Sequence, residues 1–266
     1  MDILIHTLSG TTTAAFLATL SNSDTKGKFL MVLLGGLAGA FPDIDAISLW
    51  SKFDTTIGTW LHLSHSGKEI YFGKFWYSHH GFFHSIFAAA LLSLLFISIR
   101  NVLYSKQKWP LYFKQQQTVL LLAVFFFSYI SHLIGDLPTP GAVWGGVRLF
   151  FPFEIYIGGY GTTWWWNNYD VFITLCISTA LLVSCLYAED RLSKKNLIKL
   201  TAGIYICSFA TCFYFVTHHS ISYAYKGNTS RYEYYERTSK IDQWNRLGKT
   251  IYSYLNKLDK KLPVYF

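Results

Sequence analysis

Charge is scarce in this chain. Only 14% of its 266 residues are Asp, Glu, Lys or Arg, against about 25% in ordinary soluble domains. A soluble globular protein is therefore not expected. Cysteine is equally sparse. Cys176, Cys185, Cys207 and Cys212 all fall within apolar runs, and none forms a CxxC pair. That excludes a disulfide framework or zinc finger and reads as small buried hydrophobes. No Walker-type phosphate loop, no Ser-His-Asp order and no aromatic–basic RNA motif is present. Internal repeats and low-complexity segments are missing too. The first residues, Met1-Asp2-Ile3-Leu4, lack a positive leader region and a cleavage site, so a removable signal peptide is not expected.

Apolar and aromatic residues fill the space that charge leaves. Hydrophobic residues make up 52% and aromatics 19%. Apolar runs near the length that crosses a bilayer, about 20 residues, recur at 4–20, 28–42, 82–99, 118–135, 170–188 and 198–217. The first is diluted by Thr and Ser. The second is short and glycine-rich, with Gly35 and Gly39 at a spacing that lets two helices approach closely. Together these two could form a packed hairpin shielded by the other helices. Two long loops, 43–81 and 137–169, carry Trp50, Trp60, Trp76, Trp144 and the run Trp164-Trp165-Trp166. Tryptophan favours the headgroup region, so both loops are expected to lie on the membrane. Gly158-Gly159-Tyr160-Gly161 reads as a turn. From 238 to 261, Ile241, Trp244, Leu247, Ile251, Leu255 and Leu258 recur at helical spacing among lysines and arginines, which reads as an interfacial amphipathic helix. The expected fold is an all-α membrane protein of about six transmembrane helices, with two Trp-rich interfacial loops and a C-terminal amphipathic helix. Residues 1–217 form the membrane domain and 218–266 the tail. The net charge of +8, concentrated in that tail, points to anionic lipid headgroups rather than nucleic acid.

Histidine and aspartate gather at one end of these spans. His6 opens the first; Asp43 and Asp45 follow the second. His79, His80 and His84 open the third, and His132 and Asp136 close the fourth. With six spans, topology alone brings all four clusters to one membrane face. Ionisable groups beside hydrocarbon are costly, and imidazoles with carboxylates most naturally serve a divalent metal. His132 and Asp136, four apart on a helix, share one face. Asp43 and Asp45, if extended, point the same way. Either both bind, or one binds while the other orients a histidine. If the third helix begins near Gly81, His79 precedes it and is free to reach inward. His62, His65, His218 and His219 have no carboxylate at useful spacing and read as interfacial polar residues.

In this order the clusters carry a resemblance. His6, then Phe41-Pro42-Asp43-Ile44-Asp45, then His79-His80-Gly81-Phe82-Phe83-His84-Ser85, then His132-Leu133-Ile134-Gly135-Asp136 with Thr139-Pro140-Gly141, then Pro152-Phe153, resembles the YdjM-type family. Its pattern runs LPDxD, HRGxTHS and SHxxxDxxTPxGV. The match covers roughly residues 1–155. The family consists of bacterial inner-membrane proteins described as metal-dependent hydrolases, some under SOS control, which implies a multi-pass protein of the inner (cytoplasmic) membrane. Two departures stand out: His80 replaces the family Arg, and Phe83 replaces a frequent Thr.

The resulting expectation is a membrane-bound metal-dependent hydrolase acting on a membrane-derived or amphiphilic substrate, a phosphoester foremost. His79, His84, His132 and Asp136 are the expected ligands, with Asp43 next and His6 completing a second ion's shell. Asp45 is the candidate general base or the residue that orients a ligand. The mixed N/O donor set suits zinc, and also manganese or iron. The alternative is a non-enzymatic metal-binding or transport protein using the same residues. A third reading is a structural membrane protein whose tail recruits a partner.

Orientation follows from the short loops. Lys26, Arg100, Lys106, Lys108, Lys114, Arg191, Lys194 and Lys195 lie on the short-loop face, whereas Lys52, Lys68, Lys74 and Arg148 are spread over the long loops. Positive charge in short loops marks the cytoplasmic side, so the metal face is expected on the periplasmic side, although the basic tail pulls the other way. In intact cells an impermeant thiol reagent should label Gly161→Cys and spare Ser105→Cys. The opposite pattern overturns the placement.

Overall fold

A computed structural model describes residues 2–219, 222–223 and 232–261. Its helices are α1 (Ile3–Ala18), α2 (Thr25–Ala40), α3 (Gly67–Phe72), α4 (Ile86–Arg100), α5 (Trp109–Phe113), α6 (Gln116–Asp136), α7 (Tyr169–Tyr187), α8 (Lys194–Thr217) and α9 (Tyr232–Asp259). No strand occurs among the described residues. Five helices there are long and apolar enough to cross a membrane, those containing α2, α4, α6, α7 and α8, and α1 is a shorter apolar helix.

α1 lies at the centre, packed against α2, α6 and α7 and touching α8. Its threonines, which dilute its hydropathy, do not expose hydroxyls to hydrocarbon. Thr7, Thr11, Thr12 and Thr13 each donate to the carbonyl four residues earlier. Several also cross to neighbouring helices: Thr12 meets Thr179 at 2.7 Å, Ser9 meets Ser131 at 3.1 Å and Thr13 meets Tyr205 at 3.2 Å. Polar groups thus hold helices together where hydrophobic attraction between helices is absent. Ala14, Ala15, Val32, Ile97, Val124 and Leu182 form the apolar centre of the bundle.

Glycine sets the α1–α2 distance. A Cβ on Gly35 would lie 2.1 Å from Ala14 Cβ, and one on Gly39 would lie 2.5 Å from the His6 carbonyl oxygen. The helices touch backbone to backbone. At the opposite face, Lys28 pairs with Glu189, and Lys194 donates to the Ser21 carbonyl at 2.6 Å. These contacts tie the short loops to one another.

Local caps decide where helices begin, and here some expectations change. Ser85 accepts from the Ala88 N–H at 3.0 Å, so α4 starts at Ile86 rather than near Gly81. His80 has a left-handed backbone (φ 63°) and Phe82–His84 forms a 3-10 turn. Asp43 and Asp45 are not extended; Pro42 opens a 3-10 helix over Phe41–Leu49. α6 ends at Asp136, where Thr139 donates to the Asp136 carbonyl at 2.7 Å and Pro138 prevents continuation.

The tryptophans divide. Trp50, Trp60 and Trp76 are exposed, as a headgroup position requires, but Trp144 and Trp164 are buried in the loop packing. Trp144 donates to the Tyr71 carbonyl at 2.9 Å, joining the two long loops. The expected turn is present, with positive φ at Gly158, Gly159 and Gly161. In α9, Ser239, Asp242, Gln243 and Tyr252 are buried, while Ile241, Trp244, Ile251 and Leu258 are exposed. The helix is not continuous; Gly248 breaks it at φ 74°.

The close α1–α2 contact makes a prediction. Gly35→Ala and Gly39→Ala should each lower thermal stability in detergent, by the about 1–3 kcal/mol typical of overpacking. Gly203→Ala, on α8 with nothing within 4 Å of the added carbon, should not. Equal tolerance at all three positions would show that the contact is not a constraint.

Candidate metal centre

The four sequence clusters meet at one end of the bundle. Asp2 caps α1 by accepting from Leu4 and Ile5 N–H at 2.9 and 3.0 Å, which places His6 in the first turn. Asp43 and Asp45 come from the 3-10 helix after α2, His79, His80 and His84 from the turns before α4, and His132 and Asp136 from the last turns of α6. His6, His80, His84, His132 and Asp136 are all buried.

At the centre, His84 Nε2 and His132 Nε2 face each other at 3.3 Å. Asp43 Oδ1 lies 3.5 Å from the first and 3.6 Å from the second. Asp136 Oδ2 lies 3.6 Å from His84 Nε2 and 3.0 Å from His132 Nε2. A tetrahedral ion with bonds of about 2.0–2.1 Å has ligand–ligand edges of about 3.3–3.4 Å. The contacts of each carboxylate with the two imidazoles, 3.0–3.6 Å, lie near that spacing, and Asp43, His84 and His132 form a group close enough to share an ion.

A hydrogen bond fixes which nitrogen of His132 faces inward. His132 Nδ1 donates to the Gly39 carbonyl at 2.7 Å, leaving Nε2 as an acceptor. His84 Nδ1 faces Asp45 Oδ2 at 3.4 Å. The imidazoles of His84 and His132 and the carboxylates of Asp43 and Asp136 therefore converge, a mixed donor set that suits a divalent cation. Burial alone would strip His84 of its proton. The carboxylates of Asp45, Asp43 and Asp136 outweigh that and push it up to about 10. A proton on His84 thus balances the charge in the absence of an ion, and a divalent ion can replace it. On this test the residues fit a metal.

The remaining residues extend the cluster on two sides. His6 stacks on His132 with ring centres 3.7 Å apart, and its Nε2 lies 3.1 Å from Asp136 Oδ1. His6, His132 and Asp136 form a second group close enough to share an ion; His79, His80 and His84 form a third. His79 does not join the central four. Its Nδ1 is 2.8 Å from Asp45 Oδ1, and its ring stacks on Tyr71 at 4.5 Å. Asp43 is thus among the central residues, and His79 falls in the group with His80 and His84. Asp45 bridges His79 and His84, one oxygen to each, so it orients ligands and is not positioned as a lone base.

Four residues, His80, Arg148, Tyr71 and Trp144, take roles that were not legible in the sequence. His80 donates from Nδ1 to the Gly146 carbonyl at 2.9 Å and accepts at its own carbonyl from Arg148 N–H at 3.0 Å. Burial, with His79 and His84 nearby, holds its ring well below the ordinary histidine range. Burial thus works against a positive charge at this position. Arg148 is buried and donates to the carbonyls of Pro152 and Phe153 at 2.6 and 2.9 Å. Tyr71 and Trp144 wall the cluster; only tertiary contact reveals them. The reading of His219 is corrected. Its ring is buried, with Nε2 3.0 Å from Asp170 Oδ2 and Nδ1 2.7 Å from the Thr162 carbonyl. The carboxylate partner is 49 residues away, beyond any local spacing rule. His62 is exposed, His65 stacks on Phe75 and His218 on Tyr214, all outside the cluster.

A cavity of about 790 Å³ opens onto the cluster. Asp43, His79, His80 and Asp136 line its floor, and Trp144 and Trp165 lie in its walls. The long loops therefore roof the site without sealing it.

No curated protein and no solved structure is significantly similar to the chain. The description "YdjM inner membrane protein" matches residues 1–220, extending the sequence resemblance through α8. With the apolar helices around the cluster, this makes the chain a multi-pass inner-membrane protein of the YdjM family.

Proposed function

We propose that the protein is a metal-dependent hydrolase whose centre opens at the membrane face to a membrane-derived or amphiphilic substrate, a phosphoester foremost. The observation that carries this reading is the convergence of Asp43 and Asp136 on the imidazoles of His84 and His132, each contact 3.0–3.6 Å, beneath an open cavity. Zinc suits the mixed donors best, with manganese or iron as the other candidates. When bound, such an ion lowers the pKa of water toward neutrality and polarises the scissile group.

The chain's own residues supply the proton handling. Asp45 holds His79 through Nδ1, which leaves His79 Nε2 for the cavity that the ring lines. A histidine oriented by a carboxylate is suited to take a proton from water and return it to a leaving group. Asp45 therefore acts through His79 and His84. Trp144, packed edge-on to His79 with ring centres 5.0 Å apart, limits water around it. Carrier function is supported less well. A transport path needs ionisable groups near the midplane, whereas the bundle centre is filled by Ala14, Val32, Val124 and Leu182.

Two outcomes test this. Detergent-purified protein should carry about one or two divalent ions per chain, as hydrolytic sites do. His132→Ala and His84→Ala should sharply reduce the content measured by elemental analysis, while His218→Ala should not. Protein that is metal-free and takes up neither zinc nor manganese sinks the reading. Asp45→Asn keeps the side chain's shape while removing its charge. It should retain much of the metal yet lose about a hundredfold or more of the turnover of a phosphoester or lipid-linked substrate. Full activity in Asp45→Asn would remove the His79–Asp45 pair from the mechanism. Metal movement into proteoliposomes, with no hydrolysis across a phosphoester and lipid panel, would establish the carrier instead.

A further inference from the structure

Two cavities meet at the His6–Asp136 pair. Asp136 lines the cavity beneath the loops, and His6 lines a second one of about 680 Å³ inside the membrane-spanning bundle. This inner crevice lies between α1, α6, α7 and α8. Its α1 wall runs from His6 to Leu17, a depth of roughly 16 Å at about 1.5 Å per residue. The polar side chains along it are already satisfied within the protein, Ser9 by Ser131 and Thr13 by Tyr205. What remains facing the space is mostly apolar, with Tyr160, Thr162 and Ser208 as further polar residues on its lining.

The crevice is open sideways. α8 packs on α7 and only lightly on α1, which leaves a slot between α6 and α8. Phe127 on α6 and Phe209 and Phe213 on α8 line that slot and are 51%, 54% and 61% exposed. In a membrane protein those exposed faces meet hydrocarbon, not water. The feature is thus a mostly apolar channel that opens into the bilayer and ends at a cluster of imidazoles and carboxylates.

We propose that this crevice holds the hydrocarbon chain of a membrane amphiphile. The chain enters from the bilayer between α6 and α8 and places its polar linkage at the His6–Asp136 end. Only an amphiphile matches both ends, because the channel is mostly apolar along its length and polar where it stops. What happens to the linkage there rests on the hydrolase reading, but occupancy of the crevice does not.

The test uses full-length protein in phosphatidylethanolamine–phosphatidylglycerol vesicles containing phosphatidic acid with a diazirine at the end of one acyl chain. After irradiation, adducts should map to the crevice walls on α1, α6 and α8. Cys212→Trp, which fills the crevice, should lose this labelling. Cys207→Trp, in the separate depression between α7 and α8, should keep it. An unchanged thermal-unfolding midpoint and gel-filtration profile in detergent show that both variants are folded. Labelling spread evenly over the bilayer-facing surface, including Leu91 and Leu95 of α4, overturns the proposal. So do cross-linked dimers joined through the α6–α8 slot, which assign it to a second copy. Labelling at the walls without hydrolysis leaves the crevice standing and removes the catalytic reading. Hydrolysis of a water-soluble phosphoester without wall labelling does the reverse.

Discussion

The rest of the structure depends on the backbone contact between α1 and α2. Because Gly35 and Gly39 carry no side chain, the two helices meet at a distance no other residue permits. Three consequences follow from that distance. The Gly10 carbonyl comes within 3.0 Å of Ser128 Oγ, so α6 is pinned to the pair. The Gly39 carbonyl reaches His132 Nδ1 and thereby directs the opposite nitrogen toward the carboxylates. The 3-10 helix that begins where α2 ends then delivers Asp43 and Asp45 to two different nitrogens of one ring, His84.

Burial makes this arrangement demanding. A carboxylate taken out of water without partners is strongly disfavoured. Here Asp43, Asp45 and Asp136 lie beside hydrocarbon-facing helices, and each is matched by imidazole nitrogen at 2.8–3.5 Å. The imidazoles are held in turn: His132 by a backbone carbonyl, His79 by Asp45 and Tyr71, His80 by Gly146. The proposed cation rests on this convergence of imidazole and carboxylate donors beneath an open cavity.

The two cavities give the site a direction. One faces the loops and the headgroup region, the other the hydrocarbon, and the His6–Asp136 contact is the partition between them. α8 contributes to this by what it does not do. Its loose packing on α1 keeps the inner crevice open, whereas α4 and α6 close the opposite side around Ala88, Phe125 and Tyr129.

Much of this was legible in the sequence because hydrocarbon imposes simple rules. Apolar length alone located the spans, and the parity of six spans placed His6, Asp43, His84, His132 and Asp136 on one face. The spacing of Gly35 and Gly39 announced a close helix contact. Local rules failed where a cap or a distant partner decided the geometry. Ser85 moved the start of α4 and freed His80 to take a left-handed backbone. The buried pair of His219 and Asp170 joins residues 49 apart. Trp144 and Trp164 have the composition of interfacial anchors but pack inside, since their burial depends on loops that only the fold brings together. The sequence by itself determined which residues must leave water and at which end of the bundle they do so, because period and hydropathy act locally. Only the tertiary structure decided which nitrogen faces which oxygen. That assignment rests on backbone carbonyls and helix separations a few ångströms in size, contributed by segments far apart in the chain.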